Sequence, residues 1–531
     1  AARLSEAARV LERVPRKPAR SWHEAVQCFW LVFVVDGIDS PGRFDQYMIP
    51  YWRAAMEGGE RSLSQARALL AELWRKFEEV RAWNLCIGGQ KPDGTDASNE
   101  LSMEILHLAA TNYQIAPNLT MRCHPGTPVQ LWQKAAEAVS TGVGMPAFYN
   151  DEVVIDALVD YGIPLTDARD YCMNGCNQID IQGKSHMGLE DGEINLLKCL
   201  ELALHNGVDP LTGRRIGPAT GVAEEFSCFS ELLVALKTQV GFFVGELTRV
   251  ANRSQRIYAE TAPGPLRSLL TQGCLQSGID VKSGGALYNH GQVLIQGIGN
   301  TADALAALQN IVYEERRVEL TEVLGALAAD WQGHDTLRRM LITRAPKYGN
   351  DDDEVDQLAA HIVDFTTAEL KKHRTYRGGY YGGGSSVFVR GISFGSNVGA
   401  TPDGRYARSP LADSVGPVQG RDRKGPTAVF NSVAKVNHRQ VISGYVLNMR
   451  FSHQLLRDGG LERMTQAIQA FFASGGQQVQ INVVDTSALL EAQKDPSSHQ
   501  NLIVRVGGYS DYFVNLPKAL QDEIISRTVQ P

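Results

Sequence analysis

Two adjacent glycines near the C-terminus, Gly507 and Gly508, constrain this chain more than any other feature. They sit inside the run Arg505-Val506-Gly507-Gly508-Tyr509-Ser510-Asp511-Tyr512-Phe513. Upstream, Val479 to Val484 alternates like a half-buried strand. Downstream, Leu516 to Thr528 reads as a terminal helix, with Gln521, Asp522 and Glu523 among apolar positions. The pair therefore occupies a tight turn between a β-branched run and a helix. Taken alone, such a pair answers a turn's need for positive φ.

The chain has 531 residues, 43% of them hydrophobic, so a large core is possible. The net charge of −7 comes with no long basic run, which disfavours nucleic-acid binding. The longest apolar stretch, Cys28 to Val35, is far short of the ~20 residues that cross a bilayer, and no signal peptide is visible. Eight cysteines are scattered along the chain without forming a disulfide framework, and a reducing cytoplasm fits best. The sequence begins Ala1-Ala2-Arg3, directly in a helical pattern, and is expected to be a fragment or a trimmed chain.

Helical periodicity covers Ser5 to Val14, Trp22 to Val35, Ser62 to Val80, Asn99 to Asn112, Pro128 to Ser140 and Asp151 to Tyr161. It returns at Glu193 to His205, Glu224 to Ala259, Thr301 to Ala328, Asp352 to His373 and Met464 to Ala473. Short strands are expected at Pro117 to Arg122 and Val387 to Val389. Asp167 to Gly192 reads as loop, as does the glycine-rich Gly378 to Gly404, within which Gly378 to Gly384 suggests a flexible surface segment. Helices interleaved with short buried strands argue for an α/β architecture.

The residues around the glycine pair are more specific than the turn itself. Arg-Val-x-Gly-Tyr-Ser, then Phe513 and the tail Gln521 to Thr528, resembles the radical-bearing loop of the glycyl radical enzymes, the pyruvate formate-lyase-like superfamily. In that family the second glycine holds a stable carbon radical, and Gly508 is the matching position. The chemistry explains the residue type. A radical on Cα is delocalised into the amides on both sides if the centre is flat, and a Cβ would crowd that geometry. Further landmarks match in order, among them Gly42 to Tyr47, Asp96 to Leu101, Gly144 to Ala147, Pro346 to Asn350 and Ala400 to Arg405. The resemblance implies a ten-stranded α/β barrel of two antiparallel half-barrels surrounded by helices. Family members extend upstream of Ala1, so some barrel elements and N-terminal helices are expected to be missing. It also implies a barrel region at 1–400 carrying a cysteine loop and a glycine radical region at 401–531. The two loops would meet inside, where oxygen and water are excluded.

A radical parked on a turn must be handed to something nearer the substrate. A thiol suits, because S–H and Gly Cα–H bonds are close in strength. Tyr171-Cys172-Met173-Asn174-Gly175-Cys176-Asn177-Gln178 offers two cysteines. The resemblance selects Cys176 as the thiyl residue; an inert buried thiol is the ordinary alternative for either. Cys172 and Cys176 are not side by side, so acyl transfer through a cysteine pair, as in pyruvate formate-lyase, is not expected. Dehydratase and eliminase members usually carry Cys-x-Glu, with the Glu as general base. Here that position is Gln178, whose amide can orient a hydroxyl but cannot accept its proton. Glu190 is the candidate relocated acid/base; its alternative is a carboxylate at the N-terminus of the helix expected from Glu193. His186 reads as structural.

Three other patterns carry less. Gly183-Lys184-Ser185 lacks the first glycine of a phosphate loop. Gly142 to Ala147 has dinucleotide lettering, but Pro146 would interrupt the required helix. Cys172 and Cys176 have no second ligand pair for zinc, so no metal is expected.

The sequence therefore points to a cytoplasmic glycyl radical lyase acting on a small polar substrate. The expected partners are a separate radical S-adenosylmethionine activating enzyme and a second copy in a homodimer, with neither nucleic acid nor membrane. Gln178 leaves decarboxylation, C–C cleavage and addition to an alkene open. A member lacking its upstream part could also be an inactive partner or scaffold.

Overall fold

The computed structural model describes residues 2–187, 190–385 and 390–530. Its main-chain frame is ten strands in two sheets. The first has six: β1 (Asn84–Gly88), β2 (Asn118–Cys123), β3 (Ala147–Asn150), β10 (Asn448–Phe451), β11 (Gln478–Val483) and β14 (Val529–Gln530), in the order β1-β2-β3-β11-β10-β14. The second has four, β6 (Glu190–Asn195), β7 (Gly291–Gln296), β8 (Tyr381–Ser385) and β9 (Val441–Tyr445), all parallel. Within the first sheet β1, β2 and β3 are parallel, as are β11, β10 and β14. The direction reverses only where β3 meets β11.

Two residues separate β9 from β10, and they stitch the sheets together. Val446 donates its N–H to Ser385 O (2.8 Å), while Leu447 O accepts from Gln480 N–H (2.9 Å). Two hairpins lie apart from these sheets: β4 (Tyr171–Asn174) with β5 (Gln178–Ile181), and β12 (Ile503–Arg505) with β13 (Ser510–Tyr512).

Most of these strands are buried on both faces, which erases the alternation that marks a half-exposed strand. In β11, expected to be half-buried, all six residues are buried. Val479, Ile481 and Val483 join the main apolar core, and Gln478, Gln480 and Asn482 are buried too. Those amides carry structure: Gln478 Oε1 accepts from Leu447 N–H (2.9 Å).

The glycine-rich segment is not a surface loop. Tyr381 to Ser385 is β8, wholly buried between β7 and β9. The glycines are there because neighbours leave no room: a Cβ on Gly383 would lie 2.7 Å from Thr367 Cγ2, and one on Gly384 would overlap Ser443. The strand expected at Val387 to Val389 lies outside the described residues.

Two other expectations change. Asp167 to Gly192 contains the β4–β5 hairpin and the start of β6, and Glu193 to Asn195 completes that strand. The helix begins only at Leu196, where the Asn195 side chain accepts from Lys198 N–H. The long pattern from Thr301 to Ala328 is broken: a helix at Ile298–Ala307 widens into a π-turn at Leu308–Glu314, and a separate helix spans Leu320–Ala328. The longest helix, Phe229–Thr261, packs Val240, Val244 and Ala251 into the core. No described helix is long and apolar enough to cross a membrane.

Candidate active site

Both interior hairpins are held by buried polar anchors. Arg122 on β2 and Asp151 are fully buried and paired through two bonds of 2.9 Å. Arg122 also donates to the carbonyl of Tyr171 at the start of β4 (2.8 Å). A buried pair of this kind holds position more than it adds net stability. On the other strand, Gln292 of β7 donates to Ile179 O (2.7 Å) and to Ile442 O (3.0 Å), tying β5 to β9.

The β4–β5 register pairs Asn174 with Gln178, which leaves Gly175, Cys176 and Asn177 as the turn. Gly175 and Asn177 have φ of +53° and +91°. Glycine takes such values freely, and asparagine tolerates them better than most side chains do. The turn is fixed from outside. Gly175 N–H donates to Ser40 Oγ (3.0 Å), and Asn177 O accepts from Tyr149 OH (2.7 Å).

The β12–β13 turn meets this one tip to tip. Gly508 is buried and has φ of +80°. A Cβ placed on it would overlap the Cys176 carbonyl oxygen and lie 3.0 Å from Cys176 Cβ. Only a residue without a side chain can sit there. The Gly508 carbonyl accepts from Asn118 Nδ2, and from Asn177 Nδ2 at 3.3 Å. Asn177 Oδ1 in turn accepts from Asn84 Nδ2 (2.8 Å). A chain of amides therefore joins β1, β2, the cysteine turn and the glycine turn.

Arg505 orients the glycine turn. It is fully buried, donating Nε to Gln480 Oε1 (2.6 Å) and Nη1 to Asn118 Oδ1 (2.7 Å). Burial pushes its guanidinium down to about 9, opposed by the negative forms of Cys176 and Tyr149 nearby.

Of the four residues singled out from sequence, Gly508 and Cys176 are thus in contact, and Gln178 lies two residues beyond the cysteine. Gln178 is buried, and its Oε1 has no hydrogen-bond partner among the described residues. An unpaired buried acceptor costs free energy unless something donates to it. Glu190 opens β6, but its side chain lies outside the described residues. Its position in a strand removes the alternative of a helix N-terminal carboxylate, since the helix starts six residues later. His186 lines a cavity of about 320 Å³ on the flank of the cysteine hairpin. Burial and the neighbouring cations push its imidazole down to about 3, so it is uncharged.

Sequence reasoning gave no role to Asn118, Asn177 or Ser40. Their neighbours in the chain carry no signal for it; only the packing of distant strands brings them together. Arg505 stood in the quoted motif without a function.

The comparisons agree with this frame. Residues 1–392 match the family described as pyruvate formate lyase-like, and residues 411–514 match the glycine radical domain. The chain belongs to the glycyl radical enzymes of the pyruvate formate lyase-like family. It is 34% identical to trans-4-hydroxy-L-proline dehydratase of Clostridioides difficile, over 97% of this chain and 68% of that protein. It is 31% identical to (2S)-3-sulfopropanediol dehydratase of Klebsiella oxytoca, over 92% of this chain and 62% of that one. The chain thus spans about two-thirds of the curated relatives it matches. Among solved structures, the glycerol-bound B12-independent glycerol dehydratase of Clostridium butyricum superimposes with a TM-score of 0.94 at 35% identity, covering all of this chain and 70% of that one. The fold is the α/β barrel expected from the sequence. Glycyl radical enzymes depend on an activating enzyme to form the radical.

Proposed function

We propose that this chain catalyses radical elimination from a small hydroxylated molecule, with Gly508 storing the radical and Cys176 delivering it. The observation that best supports this is the contact between the two turns: the Gly508 Cα, where a Cβ would overlap the Cys176 carbonyl, lies against the cysteine that would exchange hydrogen with it. In this reading the Cys176 thiol gives its hydrogen atom to the Gly508 Cα, and the sulfur then takes one from a substrate C–H. The C–O bond on the neighbouring carbon breaks, the oxygen leaves as water after protonation, and the product radical recovers hydrogen from Cys176. Atoms balance, and the radical returns to Gly508 after each turnover.

Gln178 Oε1 would accept the substrate hydroxyl proton in a hydrogen bond without removing it. Glu190 would supply the acid/base function that Gln178 cannot. The relatives' names carry hydroxylated molecules, which is the class we assign here. The missing carboxylate at 178 is the one observation favouring a second reading, in which decarboxylation or C–C cleavage follows the same hydrogen abstraction. The division into 1–400 and 401–531, a radical S-adenosylmethionine activase, a homodimer and a cytoplasmic location belong to the same proposal.

Anaerobic activation followed by electron paramagnetic resonance tests it. Wild type should give a glycine-type doublet that collapses on Cα deuteration. Cys176→Ser should keep the doublet and lose all turnover, while Gly508→Ala should lose both. A doublet that survives Gly508→Ala would end the assignment.

A further inference from the structure

The 320 Å³ cavity is lined by both strands of the cysteine hairpin. Cys172, Met173 and Asn174 line it from β4, and Asp180 from β5. Cross-strand partners share a face, and residues two apart along a strand share it too. The register pairs Cys172 with Asp180 and Asn174 with Gln178. Gln178 therefore belongs to the cavity's face of the hairpin, one turn residue from Cys176. Ser40, also on the cavity wall, bonds the N–H immediately before Cys176. Ser40 thus joins the cavity wall to the cysteine turn.

The charges on this wall are unbalanced. Asp36, Asp39 and Asp180 all line it, against one guanidinium, Arg267. Arg267 is committed: it makes two bonds to Asp36, at 2.8 and 3.2 Å, and stands 3.8 Å from Asp39. His186 is uncharged there. The other nearby cations are engaged elsewhere: Lys282 donates to Ala262 O, Arg377 pairs with Asp191 at 3.5 Å, and Lys184 with Asp167 at 2.7 Å. Burial pushes the Asp39 carboxyl upward, with Arg267 and Ser40 pulling against it. A cationic ligand would complete what Arg267 leaves unfinished. At the inner end, the orphaned Gln178 Oε1 asks for a donor.

We propose that this cavity selects a substrate carrying both a hydroxyl and an ammonium group, an amino alcohol. Its cation sits between Asp39 and Asp180, and its hydroxyl donates to Gln178 beside Cys176. A sulfonate or carboxylate in the same place would face three carboxylates against a single guanidinium already bonded to Asp36. This rests on the proposed function, whose substrate class it narrows.

Binding to the protein before activation separates the two ideas, because no radical is needed. Calorimetry with 2-aminoethanol, 1,2-ethanediol and 2-hydroxyethanesulfonate varies the charge on a common hydroxyethyl frame. The ammonium compound should bind about tenfold more tightly than the diol, and the sulfonate most weakly. Asp39→Asn and Asp180→Asn should each reduce the ammonium-over-diol preference severalfold, with circular dichroism confirming the fold. Equal or tighter binding of the sulfonate overturns the proposal, as does failure of 2-aminoethanol to bind, or a preference indifferent to both variants. None of these results alters the resonance experiment, which stands or falls on Gly508 and Cys176.

Discussion

Gln178→Glu is the substitution that most directly probes the site, because it restores the residue the eliminase pattern carries. The amide it replaces is 8% exposed, with an unpaired Oε1. Asp180 stands next along the same face of β5. An introduced carboxyl meets desolvation and a like charge, both of which favour its protonated form. Fully buried carboxyls shift by up to ~3–5 units; with an open cavity alongside, about two units above the usual ~4.3 is the reasonable value. The folded pKa is then raised. The folded state keeps a proton that the unfolded state has lost, so stability falls as pH rises from ~4.3 to ~6.3 and is level beyond. At ~1.4 kcal/mol per unit the variant is about 3 kcal/mol less stable than wild type near neutrality, and close to equal below pH ~4. Thermal melts of both proteins across that range read the difference directly. On activity, the variant should gain rate toward hydroxylated substrates as its carboxyl ionises. A melting difference that does not change with pH would refute the burial argument, and an unchanged activity would show that position 178 does not select the reaction branch.

Asn118→Ala should cost about 2–3 kcal/mol, since it strips a donor from the Gly508 carbonyl and an acceptor from the buried Arg505, whose Nη2 already lacks a partner; chemical denaturation checks it. Gly383→Val should cost about 1–3 kcal/mol by overpacking against Thr367 and Ile295, whereas Gly245→Ala, in open space on the long helix, should gain about 0.5–1 kcal/mol. His186 is held at about 3, below its ordinary 6.5, so its contribution is complete above 6.5 and is lost as pH falls toward 3. His186→Phe should therefore lose less stability than wild type on acidification, seen as a smaller drop in melting temperature.

The parts of this protein that could be read in its sequence are the parts whose geometry is local. A turn that must take φ of +80° and stay free of a Cβ can only be written as glycine, and its flanking residues serve the same few ångströms. The barrel strands were harder. Burial on both faces removes alternation, so the glycine-rich β8 looked like a loop, while the end of β6 runs straight into a helix and looked like its first turn. The Asn84–Asn177–Asn118 network was invisible, since each amide is unremarkable in its own segment and acquires a partner only when three distant stretches converge. The cavity's charge was invisible for the same reason: Asp36, Asp39, Asp180 and Arg267 come from three separate stretches.

This division bears on how the chemistry can be tested. At Gly508 the missing Cβ does two things at once: it permits the backbone conformation, and it permits the approach to Cys176. No substitution at 508 separates stored radical from tip-to-tip packing, because any side chain destroys both. Asn118 and Asn177 bond the Gly508 carbonyl without carrying the hydrogen atom that is exchanged. Changing them moves the glycine relative to the sulfur while leaving both reacting groups intact. If turnover depends on that contact, these variants must slow transfer in proportion to the displacement, while still forming the doublet. Indifference to both would mean that the two turns meet for packing alone.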